Sequence, residues 1–412
     1  MKDIVMVTNY CQFPGETGNS RYTYLADLLT KEGFDVEVIA STFYHKTKKQ
    51  RAFSGEDLKY LGYKTTLIYE PGYPKNVSVK RLYSNEVMAK NIMTYLKARK
   101  RPDLIYCPFP PIAIGRKVAA YAEKHKIPFV IDIQDLWPEA FRMVFNPPVL
   151  SNLLYKPFEK GADAVFRQAD AILAVSQTYV DRAANVNKKN ALEASVFLGT
   201  DLNHFDSLSE TRDQLTESHQ GVQVAYIGTL GSSYDINLVT DAVHLLKKKG
   251  LTNIHFVVMG DGPKRKVFED HAKKLGISYE FTGMLPYDEM VKKLVQCDIA
   301  VNPIVKGAAQ SVINKVGDYA AAGLPVLNTQ ENKEYRGYVD HLRIGLNCIP
   351  GDAEDLAENM ERLSQDPQLR KEMGENNRRF AETHFNRRNT YEEMVQIMHR
   401  LLQESSEEKH VL

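Results

Sequence analysis

A chain of 412 residues exceeds what one ordinary domain holds, so two or three domains are expected. Hydrophobic residues make up 43% and charged residues 25%, which excludes a disordered, collagen-like or disulfide-dense chain, and no apolar run approaches the length of a membrane span. The net charge is +1, yet residues 1–200 hold 28 Lys and Arg against 20 Asp and Glu, whereas residues 201–412 hold 25 against 32.

In chain order, Ile4–Thr8 (IVMVT) reads as a strand and Asn19–Lys31 as a helix, with Tyr22, Leu25, Leu28 and Leu29 on one face. Val36–Ala40 (VEVIA) is the next strand. Leu104–Cys107, a helix over Ile112–Lys124, and strands at Phe129–Ile133 and Ala171–Val175 follow. Continuous β-branched runs between helices indicate strands buried on both faces, hence a parallel sheet. Residues 206–221 (DSLSETRDQLTESHQG) are polar and charged and read as a linker.

The pattern then restarts. Val222–Ile227 is a strand ending at Gly228, and Ile236–Lys249 is a helix. Ile254–Met259 ends in the turn Gly260–Pro263 (GDGP), and helices are expected at 264–275 and 287–296. Asp298–Val301 is a strand, Ser311–Ala322 a helix and Pro325–Leu327 a strand. From about Pro367 to Glu408 the chain is helical and charged, its last helix expected to pack across the domain junction. Two successive βα arrays predict an α/β protein of two doubly wound domains, 1–205 and 221–385, with a closing helix over 386–412. Ligands in such sheets sit beyond the carboxyl ends of the strands, so the cleft between the domains is the expected site.

The basic runs Lys46–Arg51 (KTKKQR) and Lys97–Arg101 (KARKR) read either as solvated loops and helix ends or as attraction to an anionic surface. Cys11, Cys107, Cys297 and Cys348 form no C-x-x-C pair and read as reduced, buried thiols. The N-terminus lacks a signal-peptide pattern, so a cytoplasmic protein is expected, with peripheral membrane contact open. No G-x-S-x-G or H-E-x-x-H motif is present, and His125, His204 and His244 each stand alone.

The segment Ser311–Val326 (SVINKVGDYAAAGLPV) is too polar at its front for a plain core helix. A helix starting near Ser311–Asn314 offers free N–H groups that suit a phosphate, with Lys315 in the first turn as a point charge. Asp318 lies one turn on, and a carboxylate can accept both hydroxyls of a ribose. The alternative is a surface Lys315–Asp318 pair on a core-packed helix. Gly228–Gly231 (GTLG) and Gly260–Pro263 each follow a strand and precede a helix, where glycine lets backbone approach a ligand. Thr229 lies in the first turn and Lys264 after the second, in reach of phosphate or simply solvated. Phe13–Arg21 (FPGETGNSR) is a glycine-containing loop whose helix could be capped by Asn19 or Ser20. Asp132–Glu139 (DIQDLWPE) puts Asp135, the single Trp137 and Glu139 at a strand end, a set that suits sugar hydroxyls and sugar faces or forms a packed polar turn. A metal site is not expected, since no histidine joins these carboxylates at ligand spacing.

Together these residues resemble retaining, nucleotide-sugar-dependent glycosyltransferases of family 4, whose fold is called GT-B. Ser311, Lys315, Tyr319, Ala321, Gly323, Pro325 and Val326 fit that family's S-x-P-x-K-x-x-E-Y-x-A-x-G-x-P-V signature. Asp132–Glu139 is similar to the D-I-x-D-L-W-P-E of bacterial members that build O-antigen and capsule, often with N-acetylated sugars. Phe13–Arg21 and Leu198–Phe205 (LGTDLNHF) are similar to two further motifs, so the resemblance spans nearly the whole chain.

The resemblance implies two facing Rossmann-like domains with a C-terminal helix crossing back to the first. It implies a catalytic set of Asp135, Lys315 and Gln310, a donor set of Gly15, Gly18, Arg21, Gly228, Thr229, Gly260, Gly262, Lys264, Ser311, Asn314 and Asp318, and an acceptor set of Gln134, Trp137 and Glu139. Asp318 stands where the family holds the ribose with Glu, and Gln310 where a Glu touches the transferred sugar. Gln134 stands where many members carry a histidine, and the usual Arg/Lys pair after the first glycine turn is absent from GTLGSSYD. No cofactor or metal is expected, because the nucleotide sugar, UDP-linked, is a substrate. The implied partners are that donor, a glycan or undecaprenyl-diphosphate-linked acceptor, and an anionic membrane, with no nucleic acid. The implied activity is sugar transfer in surface polysaccharide synthesis; a nucleotide-sugar 2-epimerase and a catalytically weak nucleotide-sugar-binding protein are the alternatives.

Overall fold

The computed structural model of the chain describes residues 1–16, 20–139, 151–209, 221–308, 312 and 314–411. It divides into two compact units: Met1–Leu198 joined by Tyr391–Leu412, and Gly199–Thr390.

The first unit runs β1 (Asp3–Val7), α1 (Arg21–Lys31), β2 (Asp35–Ser41), β3 (Phe43–Tyr44), β4 (Lys49–Gln50), β5 (Lys64–Ile68), α2 (Val79–Ala98), β6 (Leu104–Phe109), α3 (Ile112–His125), β7 (Phe129–Ile133), α4 (Ser151–Phe166), β8 (Ala171–Ala174), α5 (Gln177–Ala184) and β9 (Leu192–Ser195). Seven strands form one sheet in the order β5-β2-β1-β6-β7-β8-β9, paired in parallel, while β3 and β4 make a small antiparallel hairpin. Successive strand residues feed opposite cores. Val5, Val7, Ile105 and Cys107 pack with Met88, Ile92 and Val118 of α2 and α3. Ile4, Met6, Leu104 and Tyr106 pack on the other face with Leu25 and Leu29 of α1. This is why the strands read as continuous apolar runs.

The second unit runs α6 (Leu202–Ser209), β10 (Val222–Ile227), α7 (Ile236–Lys248), β11 (Ile254–Met259), α8 (Arg265–Leu275), β12 (Ser278–Gly283), α9 (Tyr287–Leu294), β13 (Ile299–Asn302), α10 (Asn314–Ala321), β14 (Val326–Asn328), α11 (Lys333–His341), β15 (Gly345–Asn347), α12 (Ala353–Gln365) and α13 (Pro367–Phe380). Its six strands order as β12-β11-β10-β13-β14-β15, again parallel. The order reverses beside β10, so the crevice past the carboxyl ends of β10 and β13 is the switch point where such sheets hold ligands. Asp235, Asn332, Asp352 and Asp366 cap α7, α11, α12 and α13 with their side chains.

The last helix, α14 (Arg387–Val411), returns to the first unit, where Tyr391, Met394, Met398, Leu401 and Leu402 join the α1 core. These positions repeat at helical spacing, so the expected return of the last helix is built from an apolar stripe.

Several expectations are corrected. The linker expected at 206–221 opens inside α6, which the buried Leu202 and Phe205 anchor; 210–220 lie outside the described residues. Ser20 does not cap α1: its backbone is left-handed, at φ 54°, and its side chain makes no cap bond, while Asn19 lies outside the described residues. The helix expected over Ser311–Ala322 is described from Asn314 to Ala321, with Ser311 and Ile313 outside the described residues. It ends as expected at Gly323, whose φ of 64° closes the turn as Leu324 N–H donates to Tyr319 O at 3.0 Å.

Candidate active site

In the second unit, β10 delivers the chain to Gly228 with φ 128°, a conformation that favours glycine. The neighbouring turns stack on it with no room for side chains. A Cβ on Gly260 would stand 1.8 Å from Gly228 O, and one on Gly262 would stand 2.5 Å from Leu230 O. Leu230 N–H donates to Asp261 O at 2.9 Å and Lys264 N–H to Leu230 O at 3.0 Å. The Gly228–Gly231 and Gly260–Pro263 turns are therefore one backbone surface at the switch point. Thr229 is exposed on it. Lys264 precedes α8, and Arg265 is turned away to Phe281 O at 3.1 Å and to Asp261 at 3.5 Å.

Helix α10 presents Lys315 to this surface from a fixed seat. Tyr319 donates to Val301 O at 3.1 Å and accepts from Ile227 N–H at 3.0 Å, pinning the helix to β13 and β10. Gly317 permits close packing, since a Cβ there would lie 2.8 Å from the Phe385 ring. Ala320, Ala321 and Ala322 are buried, and their small side chains let the helix lie close.

Lys315 and Asp318 do not pair with each other. Lys315 is buried, its Nζ 2.9 Å from where a Gly228 Cβ would be. That Nζ sits 4.0 Å from the Tyr226 ring centre and 3.7 Å from the Tyr234 ring centre, and finds no hydrogen-bond partner among the described residues. Burial pushes its pKa well down. Asp318 Oδ1 accepts from Tyr287 OH at 3.1 Å and from Thr200 Oγ1 at 3.4 Å. Burial raises its pKa to about 6, against the lowering effect of Tyr287, Arg387 and Thr200.

A carboxyl raised in the fold contributes stability below its unfolded value, and loses it as pH rises through about 6. At pH 7.5 the ionised Asp318 is thus a cost, and Asp318→Asn is expected to stabilise the protein by about 2 kcal/mol. Urea unfolding at pH 7.5 and pH 4 checks this, since the gain should vanish at the lower pH.

In the first unit, Asp135 follows β7 and accepts from Trp137 Nε1 at 3.3 Å. Burial raises its pKa to about 6. The Arg81 guanidinium lies 4.5 Å from the Trp137 ring centre and donates to Tyr10 OH at 2.8 Å. Gln134 Nε2 is buried and lacks a hydrogen-bond partner among the described residues. Glu139 is held by Arg182 at 2.8 Å, and Arg182 also binds Asp163 at 2.8 Å. Gly15 has φ 87° and space where a Cβ would be.

Arg21 departs from expectation. Its Nε and Nη2 donate to the two oxygens of Asp132 at 2.8 and 3.1 Å, and Nη1 donates to Phe197 O at 3.0 Å and Tyr391 OH at 3.1 Å. Arg21 and Asp132 are both buried. Four of the guanidinium's five N–H groups are spent tying α1, β7 and α14 together, and burial makes it a core pin rather than a donor ligand. Asn314 is exposed at the start of α10. Gly18, Gln310 and Ser311 lie outside the described residues.

Sequence reading missed Thr200 and Tyr287, which are 118 and 31 residues from Asp318. It also missed Tyr226 and Tyr234; the available signal was aromatic residues flanking a glycine turn. Among the described residues no group of His, Cys, Asp and Glu could hold a metal ion, and no helix is long and apolar enough to cross a membrane.

Two parallel-sheet, Rossmann-like units with the last helix returned to the first define a GT-B architecture. Its likeness to solved structures agrees: sucrose-phosphate synthase of Thermosynechococcus elongatus, at 15% identity, has a TM-score of 0.74 over 98% of this chain and 100% of that one. HepE of Anabaena, determined in complex with UDP-glucose, has a TM-score of 0.64 at 16% identity over 99% of this chain and 100% of that one.

The family described as Glycosyltransferase Family 4 matches residues 19–190, and that described as Glycosyl transferases group 1 matches residues 209–380. EpsD of Bacillus subtilis (strain 168), named as a candidate glycosyltransferase, is 24% identical over 352 residues, covering 83% of this chain and 85% of EpsD. Each half of the chain thus matches a glycosyltransferase family, and the protein is a glycosyltransferase on the GT-B fold.

Proposed function

We propose that the protein transfers a sugar from a nucleotide diphosphate sugar, of the UDP-N-acetylhexosamine kind, to a glycan or lipid-linked acceptor in surface polysaccharide synthesis, with anomeric retention and no metal. One observation carries the donor half of this reading: the partnerless Lys315 amine is buried against the fused glycine turns, with Asp318 one helical turn on. A diphosphate offers that amine the acceptor it lacks. Both bonds to Asp318 end on Oδ1, which leaves Oδ2 for ribose hydroxyls. The UDP-glucose held by HepE supports a uridine donor.

In the reaction the bond between the sugar C1 and the β-phosphate oxygen breaks, and its electron pair stays with the nucleotide diphosphate. The acceptor hydroxyl bonds to C1 from the same face, and its proton passes to the departing phosphate oxygen. Lys315, whose ammonium form the negative charge of the bound diphosphate favours, and the turn N–H groups stabilise the leaving charge, Gln310 and Ser311 completing that set. Asp135 and Gln134 meet the sugars, and Trp137 gives an aromatic face to the acceptor. The excess of basic residues in the first half attracts a phosphorylated acceptor and an anionic membrane surface.

The test is a thermal-shift panel of UDP, GDP, ADP and TDP sugars, because a ligand that binds only the native state raises its stability. UDP sugars are expected to give the largest rise; no rise with any of them would reject the reading. Asp318 sets the pH response. Its pKa near 6 means that a donor held through the carboxylate should bind about tenfold more weakly at pH 5 than at pH 7.5. Calorimetry at the two pH values reads this, and an unchanged affinity would remove Asp318 from the site. Transfer should persist in EDTA; activity lost there and restored by Mn²⁺ would contradict the metal-free route.

A further inference from the structure

Lys315 is held by aromatic faces where a buried amine is ordinarily held by a carboxylate. The two tyrosines come from either side of the first glycine turn: Tyr226 from within β10 and Tyr234 from the loop before α7. Their rings lie 5.8 Å apart at an interplanar angle of 64°, so their faces converge on one point. Each tyrosine is itself fixed. Tyr226 OH donates to Thr229 O at 2.8 Å, and Tyr234 bridges to Ile304 across the switch point. Asp318, one turn along the helix, is engaged with Tyr287 and Thr200 and does not reach the amine.

A carboxylate in the place of either ring would fix Lys315 as well, but it would take up the ammonium N–H donors and cancel its charge. An incoming diphosphate would then have to break that pair. A ring face attracts a cation without accepting a directed hydrogen bond. It thus sets the position of Nζ and leaves its donors free.

We propose that Tyr226 and Tyr234 are positioning residues, an aromatic cradle that holds Lys315 at the Gly228 turn with its hydrogen-bonding capacity unspent for the donor diphosphate. This rests on the reading that Lys315 meets that diphosphate. The tyrosines act through the lysine and need not touch the donor. The loop after β10 accordingly carries no cation of its own in GTLGSSYD: its contribution to charge binding is the ring that holds the charge of α10.

The test is a double-mutant cycle read by calorimetry with UDP as the probe. Tyr234 is the position to change, being only partly buried, whereas Tyr226 lies in the core. Tyr234→Phe keeps the ring face and should bind UDP within about twofold of the parent, whereas Tyr234→Leu should weaken it about tenfold. Tyr234→Gln provides a second ring-free variant should the leucine protein fold poorly, with thermal unfolding as the check. Tyr234→Glu should weaken UDP at least as much as Tyr234→Leu, by capturing the lysine. In a Lys315→Met background none of these changes should alter UDP affinity further. Equal losses with and without the lysine, or a Tyr234→Leu protein that binds UDP normally, would overturn the cradle. If Lys315→Met alone leaves UDP affinity intact, the reading of the lysine fails instead, and the two failures are told apart by that single variant.

Discussion

Lys315→Met should lower kcat/KM for the nucleotide sugar by about 10²- to 10³-fold, the usual loss when one preorganised donor to a leaving charge is removed. The same change should make the protein more stable, and this pairing is the informative part. Methionine fills the space of the lysine stem between Tyr226 and Tyr234 without bringing a partnerless amine into the interior. A base whose pKa is lowered in the fold binds fewer protons there than in the unfolded chain, so stability rises with pH until the ordinary lysine range is reached. The stability advantage of Lys315→Met should therefore shrink as pH climbs from neutrality toward 10. Steady-state kinetics and urea unfolding across pH check both halves. A variant that keeps full activity, or one that is destabilised at pH 7, would count against the site.

The second large effect concerns the core of the first unit. Arg21→Met should destabilise the protein by about 3–5 kcal/mol, because it strands a buried carboxylate rather than merely removing a pair. Asp132 is fully enclosed, its two oxygens are bridged by the guanidinium, and Tyr106 adds a third bond. Replacing Asp132 with Leu in the same protein should recover much of the loss, since an apolar pair of similar volume carries no desolvation cost. Urea unfolding gives the energies. The affinity for UDP separates this structural role from donor binding: under native conditions it should stay unchanged in the Arg21→Met, Asp132→Leu double variant. A donor affinity that collapses while the fold survives would return Arg21 to the site.

Much of the architecture was legible because parallel strands buried on two faces leave long β-branched runs, as in IVMVT and IHFVVM. Gly323 with Pro325 marked the end of α10, whereas the apolar stripe of the last helix shows in the packing of Tyr391, Met394, Met398, Leu401 and Leu402. The glycine turns were visible as turns. Their fusion into one surface was not, because it depends on Gly260 and Gly228 meeting backbone to backbone across neighbouring strands. Arg21 was misread for the same reason. In sequence it ends a polar loop, and only the register of β7 shows that Asp132 waits behind it in the core. Lys315 read in the sequence either as a first-turn charge for a phosphate or as half of a surface pair with Asp318; it is enclosed by Tyr226 and by Tyr234, the latter 81 positions earlier in the numbering. Short-range pattern finds elements, and long-range packing decides which charged groups are free to act.

The proposed function requires the Gly199–Thr390 unit to grip a nucleotide diphosphate through Lys315, Asp318 and the fused glycine turns. A crystal structure of the full chain with UDP tests this most directly. It should show the diphosphate against Lys315 Nζ and the Gly228 and Gly260 turns, with the ribose hydroxyls on the Asp318 carboxylate. UDP seated elsewhere, with Lys315 still enclosed by the two tyrosines and Asp318 untouched, would contradict it.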